Sequence, residues 1–226
     1  MWYVASAPQH PYPNVHIGDP AYAARILFWL TWKYGITGFE YYCFGLWGRN
    51  PRITPRWPKS PWHCYSFATT NGDGQLCYPG PNGQPAASIR LENIRDGIED
   101  WEALWILDAA LGALNDQVAT GGIKKTSRVK LPDGESTVGD LLQRASRAVR
   151  IDEVMGKDVT HWSLNPGGLL RRRREVGQLI EGIASVVGKE RLATFQNARA
   201  AARRALEARR LEQNRQRALK ELREKR

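Results

Sequence analysis

The sequence is poor in the residues that build disulfide frameworks and metal sites. It has three cysteines, Cys43, Cys64 and Cys77, and no C-x-x-C pair. This odd number argues against a disulfide framework, although it leaves room for one bridge. The four histidines show no zinc-ligand spacing. We therefore expect no metal site and no cofactor.

Long apolar runs are also lacking. No run approaches the roughly 18 residues that a membrane-spanning helix needs. The first eight residues contain an Ala-x-Ala pattern, but no basic segment precedes it and the apolar stretch is short. We therefore expect a strand here rather than a signal peptide. An export signal of an extracellular or periplasmic parent protein would lie upstream, so the sequence leaves the localisation unknown.

Positive charge is concentrated at one end of the chain. The formal net charge is +10, and residues 188–226 hold 13 Lys and Arg against 5 Asp and Glu, a net charge of +8. The arginines and glutamates of this tail are interspersed. This mixture favours a solvated helix over self-association or contact with nucleic acid or an anionic surface.

Strands alternate with helices along residues 1–115. An aspartate–proline pair begins the first helix, and a glycine suited to the left-handed region ends it. A serine caps a second, long helix. The connections are long enough for parallel crossovers, which predicts an α/β arrangement. The predicted strands are Trp2–Ser6, Gly38–Phe44 and Leu76–Tyr78, and the helices begin at Asp19 and Ser88.

After Asn115 the alternation of strands and helices ends, and different elements are predicted. A loop or small hairpin is predicted over residues 116–136, with its turn at Asp133–Gly134. Helices follow over residues 137–187, and one long basic helix covers residues 188–226.

Several short motifs occur in a specific order within the first 115 residues. Residues 88–102 read SIRLENIRDGIEDWE, and they follow NGDG at 71–74 and YPG at 78–80. Earlier pieces are WYV at 2–4, YPN at 12–14 and WLTWKYG at 29–35. In this order and spacing, residues 1–115 resemble the C-terminal portion of the glycoside hydrolase family 123-type catalytic domain. Residues 151–183 are also similar to the helical tail of that family.

The resemblance implies a fold: the C-terminal part of a (β/α)8 TIM-like barrel, followed by an α-helical extension. A whole barrel takes about 250 residues, and three parallel strands cannot close one. We therefore expect that the missing N-terminal barrel segment, or another chain, completes the sheet.

The resemblance also implies an activity. Members are β-glycosidases that act on N-acetylhexosaminides, with the acetamido group of the substrate as the nucleophile and an adjacent Asp–Glu pair assisting. That pair is expected at a strand end upstream of Met1, so no catalytic residue is assigned and the chain alone is expected to be inactive. The alternatives are a non-catalytic carbohydrate-binding or assembly module, and a basic-helix adaptor for nucleic acid or an anionic surface.

Five residues are candidates for substrate binding. Trp47 and Tyr41 lie at the end of the second strand, where an aromatic ring either stacks on a sugar or packs under the following loop. Asp73 lies in a glycine-rich turn, where its carboxylate either accepts from sugar hydroxyls or caps its own turn. Tyr78 follows this turn, and Arg90 lies in the first turn of the long helix that starts at the expected active face.

Other acidic residues have structural interpretations. Glu40 lies inside a strand that is predicted to be buried, so we expect it to pair with an arginine. Asp152–Glu153 has the order of a catalytic pair, but it lies in the helical tail. Glu99–Asp100 lies in the middle of a helix, where ion pairs with neighbours are expected.

Overall fold

The structure, a computed structural model, describes residues 1–45, 65–67 and 70–224. These residues form a mixed α/β fold with small two-stranded sheets, which confirms the predicted class at that level. The strands are β1 (Trp2–Val4), β2 (Phe39–Tyr41), β3 (Tyr65–Phe67), β4 (Thr70–Asn71), β5 (Cys77–Pro79), β6 (Pro85–Ala87), β7 (Arg128–Leu131) and β8 (Gly134–Thr137). The helices are α1 (Ala23–Lys33), α2 (Ile89–Ala119), α3 (Val138–Ala148), α4 (Glu153–Gly156), α5 (Pro166–Val187) and α6 (Lys189–Glu224).

The described residues divide into two compact units. The first contains residues 1–105 and 147–176, and the second contains residues 106–146 and 177–226. The boundaries between the units fall inside α2 and α5.

A β–α–β connection opens the first unit. β1 and β2 pair in parallel, with Tyr3 opposite Glu40, and α1 connects them. Helix α1 begins at Ala23 after Tyr22, without a side-chain cap, rather than at Asp19 as predicted. It ends as the sequence predicts, because Gly35 adopts a φ of 61°, a left-handed conformation that favours glycine. One side of the pair faces a core that includes Val4, Leu27 and Phe28.

The other side of this pair corrects one expectation. Glu40 is exposed rather than buried, and Tyr3 opposite it is 51% exposed. Because side chains alternate along a strand, Tyr3 and Glu40 share one face while Val4 lies on the face towards the core. The charge of Glu40 therefore lies in solvent and needs no arginine.

The strand predicted at Leu76–Tyr78 is present as β5, but its pairing differs from the expectation. It pairs antiparallel with β6, so the described strands contain one parallel pair rather than three parallel strands. The long helix α2 then begins where predicted. Ser88 Oγ accepts a hydrogen bond from Leu91 N at 3.3 Å and donates to Leu76 O at 2.6 Å, which ties the start of α2 to β5.

The second unit is built from helices and one hairpin. β7 and β8 form this hairpin around Asp133, with Leu131 opposite Gly134. Thr137 then caps α3, because its Oγ1 accepts from Asp140 N at 3.1 Å. The hairpin and the helices of this unit contribute buried side chains, including Leu107, Leu114, Val129, Leu131, Val138, Leu141, Leu179 and Ile183.

Two features bear on the environment of the chain. Within residues 1–45, 65–67 and 70–224, no helix combines the length and the apolar character that crossing a bilayer requires. The same residues contain no cluster of three or more His, Cys, Asp or Glu side chains that could hold a metal ion.

Candidate functional site

A tight turn between β4 and β5 lies at the centre of the candidate site. Gly72 and Gly74 flank Asp73 with φ values of 76° and 72°, which side-chain-bearing residues rarely adopt. A Cβ atom on Gly72 would also lie 2.6 Å from Arg90 Nη1 and from Ile17 Cγ1. The glycines of the NGDG motif are therefore required by conformation and, at Gly72, by close packing.

The turn brings four of the predicted residues together. We call Tyr41, Asp73, Tyr78 and Arg90 the Asp73 cluster. Tyr41 Oη donates a hydrogen bond to Asp73 Oδ1 at 3.0 Å and accepts one from Gly74 N at 2.7 Å. The end of β2 is thereby joined to the turn.

Arg90 holds the turn from the start of α2. Its Nη1 donates to Val15 O at 3.0 Å and to Gly72 O at 2.5 Å, and its Nη2 donates to Gln75 O and, at 3.3 Å, to Tyr78 Oη. The residue is only 4% exposed. Since a guanidinium offers five donors in a fixed geometry, Arg90 connects both sides of the turn and an upstream loop in one arrangement.

Burial sets the electrostatics of the cluster. Asp73 is 1% exposed, and burial raises the pKa of its carboxyl, against the hydrogen bond from Tyr41 and the charges of His16 and Arg90, which lower it. Burial also raises the pKa of the Tyr41 phenol. Tyr41 therefore keeps its proton at neutral pH and acts as a donor to Asp73.

Two buried polar residues flank Val15, whose carbonyl oxygen accepts from Arg90, and sequence reasoning assigned neither of them to the site. His16 is 8% exposed, and its Nε2 donates to Ala5 O at 2.7 Å while its Nδ1 lies 3.5 Å from Asp19 Oδ2. Asn14 is 1% exposed, and its Nδ2 donates to Ala5 O and Pro8 O at 2.8 and 2.7 Å. The YPN motif at 12–14 signalled Asn14, whereas His16 was weighed only as a zinc ligand.

The remaining predicted residues divide into two groups. Trp47 lies outside the described residues, as does most of the aromatic-rich loop that follows it. The acid pair Asp152–Glu153 is at the start of α4, where Asp152 Oδ1 accepts from Met155 N at 2.9 Å and Oδ2 pairs with Arg172. This arrangement is a helix cap with an ion pair, as expected for a pair in the helical tail.

Glu99–Asp100 also has the structural role that its position predicts. Asp100 is 1% exposed and accepts from Arg25 Nε at 2.6 Å, from Trp29 Nε1 at 2.9 Å and from Arg173 Nε at 2.9 Å. These three donors come from two helices, α1 and α5, so the carboxylate ties both of them to α2.

Comparison with known families agrees with this geometry. Residues 1–107 match the family model described as "Glycoside hydrolase 123, catalytic domain". The resemblance predicted from the sequence is confirmed for these residues. No curated protein matches the chain. The match covers 107 of the 226 residues and shows that this segment is similar to a glycoside hydrolase catalytic domain.

The glycoside hydrolase 123 match covers the β1–α1–β2 connection, the Asp73 cluster and the first part of α2. It also covers Gly97, where a Cβ atom would lie 2.5 Å from Phe28 Cδ2 and 3.1 Å from Arg25 O. The glycine of the RDG motif thus reflects close packing between α1 and α2. The matched residues end before 151–183, so the similarity of that segment to the family's helical tail stays a prediction.

Proposed function

We propose that this chain is the C-terminal part of a glycoside hydrolase that acts on N-acetylhexosaminides by substrate-assisted catalysis. The family match of residues 1–107 supports the hydrolase class. The observation that carries the proposal furthest is the Asp73 cluster beside the carboxyl end of β2, the side where barrel enzymes build their active sites.

The open face of the parallel pair supports the proposed barrel. Parallel sheets are normally covered on both faces, whereas α1 and the core cover only one face of β1 and β2 in the described residues. Tyr3 and Glu40 on the other face are exposed. We propose that the N-terminal barrel segment, or another chain, covers this face and supplies the Asp–Glu pair.

The predicted substrate-binding residues then divide by exposure. Asp73 and Arg90 are buried, so we propose that they act on the substrate by fixing the turn rather than by touching the sugar. Tyr78 is half-buried and directly follows this turn. We propose that Tyr78 and Trp47 meet the sugar, while Tyr41 reaches it only through its ring edge at the end of β2.

A second candidate is a carbohydrate-binding module without catalysis. It is favoured by one observation: the acid pairs of the described residues lie within α2 and at the start of α4, and not at strand ends. Both candidates predict glycan binding, but only the first predicts that adding the upstream barrel segment creates turnover.

Hydrolysis of an aryl N-acetyl-β-galactosaminide separates these candidates. The 226-residue chain should show no turnover, because a carboxylic acid is needed to protonate the leaving oxygen. Turnover that is lost in Trp47→Ala would contradict this account by showing that the chain is catalytically complete. Turnover that appears on adding the upstream segment supports the hydrolase, and continued inactivity supports the binding module.

Binding of an N-acetylhexosaminide tests the sugar-facing residues. We expect Trp47→Ala to weaken binding by about 2- to 13-fold, since an aromatic contact is worth about 0.5–1.5 kcal/mol, and Tyr78→Phe to weaken it less. Tyr34→Phe is the matched control, because Tyr34 is 44% exposed at the end of α1 and loses the same hydroxyl. Equal affinity of the Tyr78 and Tyr34 variants would remove Tyr78 from the proposed site.

A further inference from the structure

The terminal helix α6 changes its surroundings at Arg203. Up to that point it packs within the second unit: Leu192 is 7% exposed, the Phe195 ring lies where a Cβ on Gly112 would stand, and Arg199 pairs with Asp108. From Arg204 to Arg217, every side chain that the structure describes is exposed. At 1.5 Å per residue, the part of the helix beyond Arg203 is about 30 Å long.

The sequence explains why packing stops there. The packed positions recur every three or four residues, and the next positions on that face are Leu206, Glu207, Gln213 and Asn214. Leu206 is already 52% exposed, and the polar residues after it offer no apolar area to bury. We call residues 204–226 the distal segment, and its described side chains up to Arg217 have no part in the core of the second unit.

This distal segment carries a surplus of positive charge. It contains nine Lys and Arg against four Asp and Glu, a net charge of +5. Two of its acids are used within the helix: Glu207 pairs with Arg203 at 3.0 Å and Glu212 with Arg215 at 3.8 Å. Among the side chains that the structure describes, which exclude those of 210 and 218–226, three exposed arginines have no acidic partner: Arg204, Arg209 and Arg217.

The three arginines are distributed around the helix. With 3.6 residues per turn, Arg209 lies about 140° from Arg204, and Arg217 about 80° further on. By helical register, Leu211, Leu219 and Leu222 fall within about 80° of one another, and Leu206 lies about 140° from Leu211. Arg204 and Arg215 lie in the arc of these three leucines, so the segment has no uninterrupted apolar face. Helices that lie on lipid surfaces need such a face opposite their charges. Positive charge on all sides instead suits a flexible chain that can follow or wrap the helix.

We propose that the distal segment of α6 binds an anionic polysaccharide, a sulfated or carboxylated glycan chain. The charge distribution supports a flexible polyanion, and the choice of polysaccharide over nucleic acid rests on the proposed function, because the same chain carries the glycoside hydrolase segment. The segment would hold the protein on a polymer whose sugars the hydrolase segment engages. Binding would release condensed counterions and would weaken steeply with salt.

Binding of the full 226-residue chain to heparin, a sulfated polysaccharide, across a series of NaCl concentrations tests this proposal. We expect the triple variant R204Q/R209Q/R217Q to bind at least about tenfold more weakly and to reduce the slope of log affinity against log salt by about 2–3, close to one per lost contact. The matched control is K124Q/R128Q/K130Q, which removes three exposed cations near or in the β7–β8 hairpin of the same unit. It should stay within about twofold of the parent, because long-range effects of exposed charges are screened.

Three outcomes would overturn the proposal. If both triple variants weakened heparin binding equally, the affinity would depend only on the net charge of the chain and not on the position of the arginines. Tighter binding of a DNA oligonucleotide or of phosphatidylserine vesicles at the same salt would assign the segment to a different partner, and equal binding of uncharged dextran would remove the electrostatic basis. Heparin binding without any binding of an N-acetylhexosaminide would instead sink the proposed function and leave the polyanion contact of α6 in place.

Discussion

Two aspartates in the first unit are equally buried and have opposite surroundings. Asp73 and Asp100 are each 1% exposed. Asp100 accepts from the guanidinium groups of Arg25 and Arg173 and from the indole of Trp29, whereas Asp73 accepts from the neutral phenol of Tyr41. The first carboxylate makes ion pairs with two guanidinium groups, whereas the second accepts from the neutral phenol of Tyr41, and the charges of His16 and Arg90 also act on it.

This difference in hydrogen-bond donors indicates that Asp100 has a structural role and that Asp73 belongs to a candidate site. A buried carboxylate with charged donors from two neighbouring helices holds those helices together. A buried carboxylate whose pKa is raised by its burial costs free energy in its ionised form, and such arrangements cluster at functional sites. On this comparison, Asp100 stabilises the unit and Asp73 shapes the turn that carries Tyr78.

The largest expected effect is at Asp100. The substitution Asp100→Ala leaves Arg25, whose side chain is 14% exposed, without its main partner. Removing one member of a buried ion pair costs about 3–5 kcal/mol, so we expect a loss of that size in the free energy of unfolding, measured by urea denaturation. Asp96→Asn is the control, since Asp96 is 36% exposed and an exposed pair is worth about 0–1 kcal/mol. Similar losses in both variants would erase the proposed distinction between buried and exposed pairs.

The packing between α1 and α2 provides the next effect. A Cβ at Gly97 would lie 2.5 Å from Phe28 Cδ2 and 3.1 Å from the backbone oxygen of Arg25. We expect Gly97→Ala to cost about 1–3 kcal/mol through overpacking, seen as a lower midpoint of thermal unfolding. At Gly18 nothing lies within 4 Å, so Gly18→Ala should leave the midpoint nearly unchanged. An unchanged midpoint for Gly97→Ala would contradict the close approach of the two helices.

The smallest effect is at Asp73 and depends on pH. Its pKa in the folded state is raised above the ordinary 3.8, so its contribution to stability is fully present below that value and is lost as the pH rises through the folded pKa. Asp73→Asn keeps an oxygen for the Tyr41 hydroxyl and removes the charge. We expect the variant to lose less stability than the parent between pH 4 and neutrality.

Urea denaturation across that pH range measures this difference. Asp116→Asn is the control, because Asp116 is exposed in the second unit. If the free energy of unfolding of Asp73→Asn showed the same pH dependence as that of the parent, burial would not raise the pKa of Asp73.

Local signals in the sequence predicted much of the fold. The end of α1 at Gly35 and the start of α2 at Ser88 depend on single residues with defined conformations, and both are observed. The pairing of β5 was not predicted, because its partner β6 reads Pro-Ala-Ala, a composition with low strand propensity. Which face of β2 is covered depends on what surrounds the sheet, so Glu40 was expected inside and lies outside.

The candidate site was predicted in part for the same reason. The glycines of the NGDG motif predicted a tight turn, and this made Asp73 a candidate site residue. The partners that fix it come from distant positions: Tyr41 is 32 residues away and the Arg90 contact to Val15 O spans 75 residues. Residue patterns do not encode such long-range contacts, which is why His16 was missed and why Arg90 was expected to face the substrate instead of backbone carbonyls.

The most direct test of the central claim is a two-dimensional amide NMR titration of the 226-residue chain with an N-acetylhexosaminide. If the turn around Asp73 lines the sugar site, the amides of residues 72–78 and the indole of Trp47 shift on addition of the sugar, while amides of the β7–β8 hairpin stay in place. Shifts that leave residues 72–78 unchanged, or no shift at millimolar sugar, would contradict the assignment of this turn to carbohydrate recognition.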